Sequence, residues 1–144
     1  DGAMFLSLNG NWTELQTLDL SSNSIMNEGV KHLNENKTWT NLQKLLLGET
    51  GIENYFDISD LLLLGENGIE NDCDIIKNST WTKLEKLDLS GNDVTDAFLS
   101  NLSKNEFWPN LKTLNLRNTR VFNCSVTSLQ QNNKFWSNVK IKFQ

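Results

Sequence analysis

Few residues in this chain have the type and spacing to do chemistry. His32 is the only histidine. It has no second ligand at the spacing a zinc or copper site requires, so a surface or half-buried structural role is expected of it. The two cysteines, Cys73 and Cys124, form no C-x-x-C pair. The acidic stretch from Glu66 to Asp74 has the composition of a calcium loop but lacks the D-x-[DN]-x-[DN]-G order that places ligands around the ion. Gly48-Glu-Thr-Gly51 and Gly65-Glu-Asn-Gly68 offer turn glycines without a phosphate-binding fingerprint. No catalytic residue, cofactor site or metal site is therefore expected.

Composition narrows the classes further. The 144 residues suit one domain. A net charge of −5 speaks against nucleic acid, which is normally met by a basic face. The longest wholly apolar runs, Ala3 to Leu6 and Leu61 to Leu64, are far short of the ~18 residues that would suggest a membrane span. No charged segment leading into an apolar stretch marks a secretory leader. Two thiols mildly favour a reducing compartment, so a cytoplasmic location is expected, with secretion or display at the cell surface as the alternative. The sequons at Asn11, Asn36, Asn78, Asn101 and Asn123 do not decide this. Asn, Ser and Thr are so common here that chance yields nearly as many.

The elements that would position any functional residue repeat along the chain. Trp12-Thr-Glu-Leu15-Gln-Thr-Leu18-Asp-Leu20 leads into Asn23 and Ile25. Trp39, Leu42, Leu45, Leu47, Thr50 and Ile52 repeat that spacing, as do Trp81, Leu84, Leu87, Leu89, Asn92 and Val94. Trp108, Leu111, Leu114, Leu116, Thr119 and Val121 form another copy. Trp12 to Trp39 and Trp81 to Trp108 both span 27 residues, and Trp108 to Trp136 spans 28. In L-x-L the leucines alternate with an exposed residue, which is the period of a strand. After each motif, apolar residues recur at helical spacing: Met26, Val30 and Leu33; Leu99 and Leu102 with Phe98; Phe122, Val126 and Leu129. Asn27, Thr95 and Asn123 stand where N-caps are expected. Asn23, Thr50, Asn67, Asn92 and Thr119 form a column able to bond the backbone as it leaves the strand.

This pattern, L-x-x-L-x-L-x-x-[N/T]-x-[I/V], resembles the leucine-rich-repeat family over nearly the whole chain, and specifically its ribonuclease-inhibitor-like class. The resemblance implies a right-handed α/β solenoid with a parallel sheet on the concave side and helices on the convex side. It implies a single domain over 1–144 of about five repeats, which can be a piece of a longer array. It also implies a non-catalytic role in binding other proteins.

The middle breaks the period. Trp39 to Trp81 is 42 residues, and Leu45 to Asn54 is nearly repeated as Leu62 to Asn71. Two readings stay open for 48–80. One is a contracted extra coil, which the phase of Leu62, Leu64, Asn67 and Ile69 favours. The other is a normal coil carrying an insertion of roughly 15 residues, which a repeat range of 20–29 favours. Cys73 and Cys124 then sit on different coils, too far apart for the ~7 Å that a disulfide spans. Neither chain end carries a polar cap, so end-to-end self-association through terminal coils is a further expectation. All five tryptophans share one repeat position and are expected to pack in the core rather than bind.

The concave face remains for function. Its central column is expected to run Asp19, Leu46, Leu63, Asp88 and Asn115. Arg117 stands in the next column, and Glu49 and Glu66 in the one after. With a contracted coil, Leu46 and Leu63 form an apolar centre rimmed by Asp19, Asp88, Glu49 and Glu66, the anatomy of a protein interface. The partner is then expected to present a basic surface. The alternatives are a secreted or surface adhesion module, and the repeat part of a GTPase-activating or other enzyme-associated protein.

Overall fold

A computed structural model describes residues 2–49, 79–104 and 106–144. Five short parallel strands form one sheet: β1 (Thr17–Asp19), β2 (Lys44–Leu46), β3 (Lys86–Asp88), β4 (Thr113–Leu116) and β5 (Lys140–Phe143). They stand in chain order. Helix α1 (Gly2–Ser7) precedes β1, while α2 (Met26–Glu35), α3 (Asp96–Leu102) and α4 (Asn123–Asn132) follow β1, β3 and β4 in the chain. α1 packs on α2 and α3 on α4. A single 3-10 turn, Trp136–Asn138, leads into β5. The result is an α/β leucine-rich-repeat solenoid.

The strands are short because each coil needs only enough sheet to turn its leucines inward. Leu18, Leu45, Leu87, Leu114 and Ile141 are aligned across the sheet. The first four are buried and Ile141 is partly so. A parallel connection requires a long crossover, which the helices supply. Each helix buries one stripe: Val30 and Leu33 on α2, Phe98, Leu99 and Leu102 on α3, Val126 and Leu129 on α4.

β2 pairs directly with β3, Leu46 opposite Asp88. No strand stands between them, which corrects the reading of an extra coil inserted in the sheet there. The near-repeat from Leu62 to Asn71 lies outside the described residues, as do Cys73, Thr50 and Asn67.

Two constraints hold the coils in register. The first is the tryptophan column. Trp39, Trp81, Trp108 and Trp136 are at most 1% exposed, and none of their indole N–H groups has an acceptor. Burying that donor unpaired costs free energy, so the column is maintained by the volume of the ring. Trp12 departs from this expectation at 39% exposure. It belongs to the first strand-bearing coil, which follows helix α1.

The second constraint is an asparagine at a recurring place: the sequence has one three residues before each tryptophan, and among the described residues Asn36 and Asn133 act as the tie. Asn36 is 4% exposed. Its amide donates to the carbonyls of Ser7 (2.7 Å) and Asn9 (3.2 Å) on the coil before. Its Oδ1 accepts from the Thr38 N–H (2.8 Å), the Thr38 hydroxyl (3.0 Å) and the Trp39 N–H (3.1 Å). Asn133 does the same, reaching the Ser103 carbonyl at 3.0 Å and accepting from Phe135 and Trp136. One side chain thus ties a coil to its predecessor and aims the next tryptophan inward.

Other expectations divide in the same way. Asn23, Asn92 and Thr119 do bond the backbone at the strand exit, and buried Asn92 also reaches the Leu47 carbonyl of the previous strand-bearing coil at 2.7 Å. Met26 and Phe122 are 59% and 67% exposed, so the position after each motif is outside the core. Met26 opens α2 with a left-handed φ of 56°, which swings it off the buried stripe. Thr95 is the N-cap of α3, whereas Asn27 and Asn123 fall inside their helices.

Replacing Trp81 by Ala is expected to destabilise the fold by about 3–5 kcal/mol, as for other large buried aromatics. Replacing Asn36 by Ala is expected to cost about 2–3 kcal/mol, because it leaves buried backbone groups unpaired. Urea unfolding followed by tryptophan fluorescence measures both.

Candidate functional site

Strand alternation turns one set of side chains into the core and the other onto the concave face. On that face the register stacks three columns. Thr17, Lys44, Lys86, Thr113 and Lys140 form the first. Asp19, Leu46, Asp88, Asn115 and Lys142 form the second. Ser21, Gly48, Ser90 and Arg117 follow at the strand exits. The register therefore brings Asp19, Leu46, Asp88 and Asn115 together as expected, with Arg117 beside them. Leu63 and Glu66 lie outside the described residues, and the place beside Leu46 is taken by Asp88.

The second column has a structural duty. A carboxylate or amide there accepts from the backbone N–H two residues on, which bends the chain out of the strand. Asp19 accepts from Ser21 (3.0 Å), Asp88 from Ser90 (3.1 Å) and Asn115 from Arg117 (3.3 Å). Leu46 breaks the series, since it can accept nothing. It is half-buried on an otherwise polar column. Gly48, next along, runs close to Ser90: a Cβ on it would lie 3.1 Å from the Ser90 hydroxyl oxygen.

Asp88 is the most engaged member. Asn115 Nδ2 donates to both of its oxygens, at 2.9 and 3.0 Å, and the Ser90 hydroxyl donates at 2.7 Å. Lys86 lies 3.8 Å away. Burial works to raise its pKa. The hydrogen bonds from Asn115 and Ser90, helped by the Lys86 charge, more than offset this and hold the carboxyl below its ordinary value. A carboxylate so occupied is a strut of the sheet and a poor free ligand.

Glu49 is exposed and lies just beyond the strand. Ser22, Glu49, Gly91 and Asn118 all adopt left-handed φ values between 56° and 67°, one per coil. Glycine suits position 91, since a Cβ there would come within 2.6 Å of Glu49 Cγ, whereas Ser22, Glu49 and Asn118 hold the same φ with a side chain.

The first column escapes the sequence reading, which starts at the residue between the strand leucines and so passes over the residue just before the middle leucine. Its lysines change the electrostatics. Lys44, Lys86, Arg117, Lys140 and Lys142 all rise from the concave side, within a chain of net charge −5. The only histidine, His32, sits far from this face on α2, 3.5 Å from both Glu28 and Glu35. Among the described residues no group of His, Cys, Asp and Glu could hold a metal ion, and no helix is long and apolar enough to cross a membrane. A groove of about 460 Å³ between α3 and α4 is lined mainly by serines with exposed, free Cys124.

The comparisons agree with this architecture. The family described as Leucine Rich repeat matches residues 13–33 and 82–97, two of the coils described above. No curated protein matches the sequence. Among solved structures, the leiomodin-1 actin-binding site 2 superposes with a TM-score of 0.68 at 14% identity. The match covers 100% of this chain and 78% of that one. At that identity the likeness is one of fold.

Asp88 makes the fold sensitive to acid. Its folded pKa lies below the unfolded value of about 3.9, so its contribution is in place above that pH and is lost as pH falls through the folded value. Asp88→Asn is expected to be about 1–2 kcal/mol less stable than the parent at neutral pH. That gap is expected to close as the pH falls through the lowered folded pKa, where the parent's carboxyl takes up its proton. Thermal melts across pH measure this.

Proposed function

We propose that this chain is a non-catalytic protein-binding module whose concave sheet face takes the partner. The observation that carries this reading is Leu46. It is a half-buried apolar side chain on a column otherwise made of polar strand-exit residues, between the lysines of the first column and the polar residues of the third. An apolar centre with a charged surround fits a protein interface. The rim differs from the one expected from sequence, since Asp88 is occupied and lysines dominate. A protein ligand also accords with the solved neighbour, which is an actin-binding site, and with the general use of leucine-rich repeats. Strand spacings of 27 residues with helical crossovers support the ribonuclease-inhibitor-like class. Cytoplasmic residence is part of this proposal and is supported by Cys124, a free thiol. End-to-end association is less favoured, because Lys140 and Lys142 on the edge strand β5 discourage addition of another strand.

Leu46→Asp is expected to abolish partner capture while leaving the melting temperature nearly unchanged. Thr127→Asp on the exposed convex side is expected to change neither. Sedimentation with purified actin is the first binding assay to run, with capture from cell extract alongside it. Retained binding by Leu46→Asp, or its loss in Thr127→Asp, would move the site off the concave face.

A further inference from the structure

The concave face is charged unevenly from one end to the other. On β1 it presents Thr17 and Asp19, with Ser21 at the strand exit. On β4 and β5 it presents Arg117, Lys140 and Lys142. Lys140 and Lys142 are two residues apart on one strand and so point to the same side. Arg117 leaves the neighbouring strand just beyond Asn115, the partner of Lys142 in the register. No carboxylate among the described residues lies within ion-pair distance of any of the three.

That isolation contrasts with other cations of the chain. Arg120 is paired with Asp93 at 2.7 Å, Lys112 with Glu85 at 2.8 Å and Lys31 with Glu28 at 4.0 Å. The chain has 18 acidic residues to 13 basic ones, so it does not lack carboxylates to place nearby. Like charges crowded on one sheet face oppose folding. Protection of the edge strand accounts for lysines on β5. It accounts neither for both of them lying on the concave side nor for Arg117, which follows the interior strand β4.

We infer that the β4–β5 end of the concave face binds an acidic segment of a protein partner, through Arg117, Lys140 and Lys142. This rests on the concave-face reading above and names the chemistry of what that face takes. Arg117 supplies a planar fork able to hold a carboxylate by two hydrogen bonds, and the lysines supply point charges along the strand. A nucleic acid fits less well. Three cations with no aromatic platform beside them, in a chain of net charge −5, are a small electrostatic footprint for a phosphate backbone. The sequence-level expectation of a basic partner is thereby reversed. It relied on Asp19, Glu49, Asp88 and Glu66, of which Asp88 is occupied, Glu66 lies outside the described residues, and Asp19 and Glu49 stand away from the β4–β5 end.

The probe is poly-L-glutamate, titrated at low ionic strength into the 144-residue chain and followed by fluorescence anisotropy and by backbone amide shifts in NMR. Two variants carry the same change in net charge. One is Arg117→Ala with Lys140→Ala and Lys142→Ala; the control is Lys31→Ala, Lys37→Ala and Lys104→Ala. The site variant is expected to bind about tenfold more weakly than the parent, with the control near the parent value. Amide shifts are expected on β4 and β5. Equal weakening by both variants, absence of binding, or tighter binding of a single-stranded DNA of equal charge each overturns the inference. Shifts confined to the concave side of β1 and β2 overturn it while leaving the concave-face reading in place. Shifts on the convex helices overturn both.

Discussion

Two coils show most plainly what sets the solenoid: the buried rings of Trp39 and Trp136, each held at its angle by the asparagine three residues earlier. The rest of the solenoid depends on that pair. The leucines of L-x-x-L-x-L can turn inward only if the chain enters the strand at a fixed height and direction. Asn36 and Asn133 fix both by reaching back to the preceding coil and forward to the tryptophan's own N–H. A purely apolar contact would slide along the solenoid. An amide that donates to one coil and accepts from the next cannot, because a shift of one residue would leave buried backbone groups without partners.

With the coils so indexed, the sheet becomes a ruler for surface chemistry. Equivalent positions of successive strands fall in one column, and one substitution changes one square of a grid. Two kinds of residue share the grid. Asp19, Asp88 and Asn115 shape the strand exits, whereas Leu46 has no group with which to do so. Residues of the second kind are where a binding surface can be written without cost to the fold.

Much of this was readable from residues alone, because a period of two within the motif and a period of 27 between motifs leave little freedom. The strands, the buried leucines, the crossover helices and the Asn23–Asn92–Thr119 turn column all followed from spacing. The misses have physical causes. Helical spacing does not reveal a left-handed residue at a helix start, so Met26 was expected in the core and stands outside it. Repetition says nothing about what covers each ring, so Trp12 is grouped by sequence with its buried counterparts although it is 39% exposed. A near-copy such as Leu62 to Asn71 carries the motif's phase, yet phase alone does not decide which strands pair, and β2 pairs with β3. The asparagine before each tryptophan was visible as N-x-x-W five times over, but polar residues in a turn are easily taken for solvated filler.

The buried Asn36 also has a meaning for where such a chain can be made. Asn36-Lys-Thr38 is a glycosylation sequon, yet both hydrogens of its amide are committed inside the fold. Glycans are attached to a chain as it emerges, before its coils have closed. A sugar on Asn36 would replace one of those hydrogens and wedge a bulky polar group between the first two coils. Oligosaccharyltransferase and this solenoid therefore compete for the same nitrogen. A secretory route would have to leave that sequon unmodified, whereas synthesis on free ribosomes meets no such conflict.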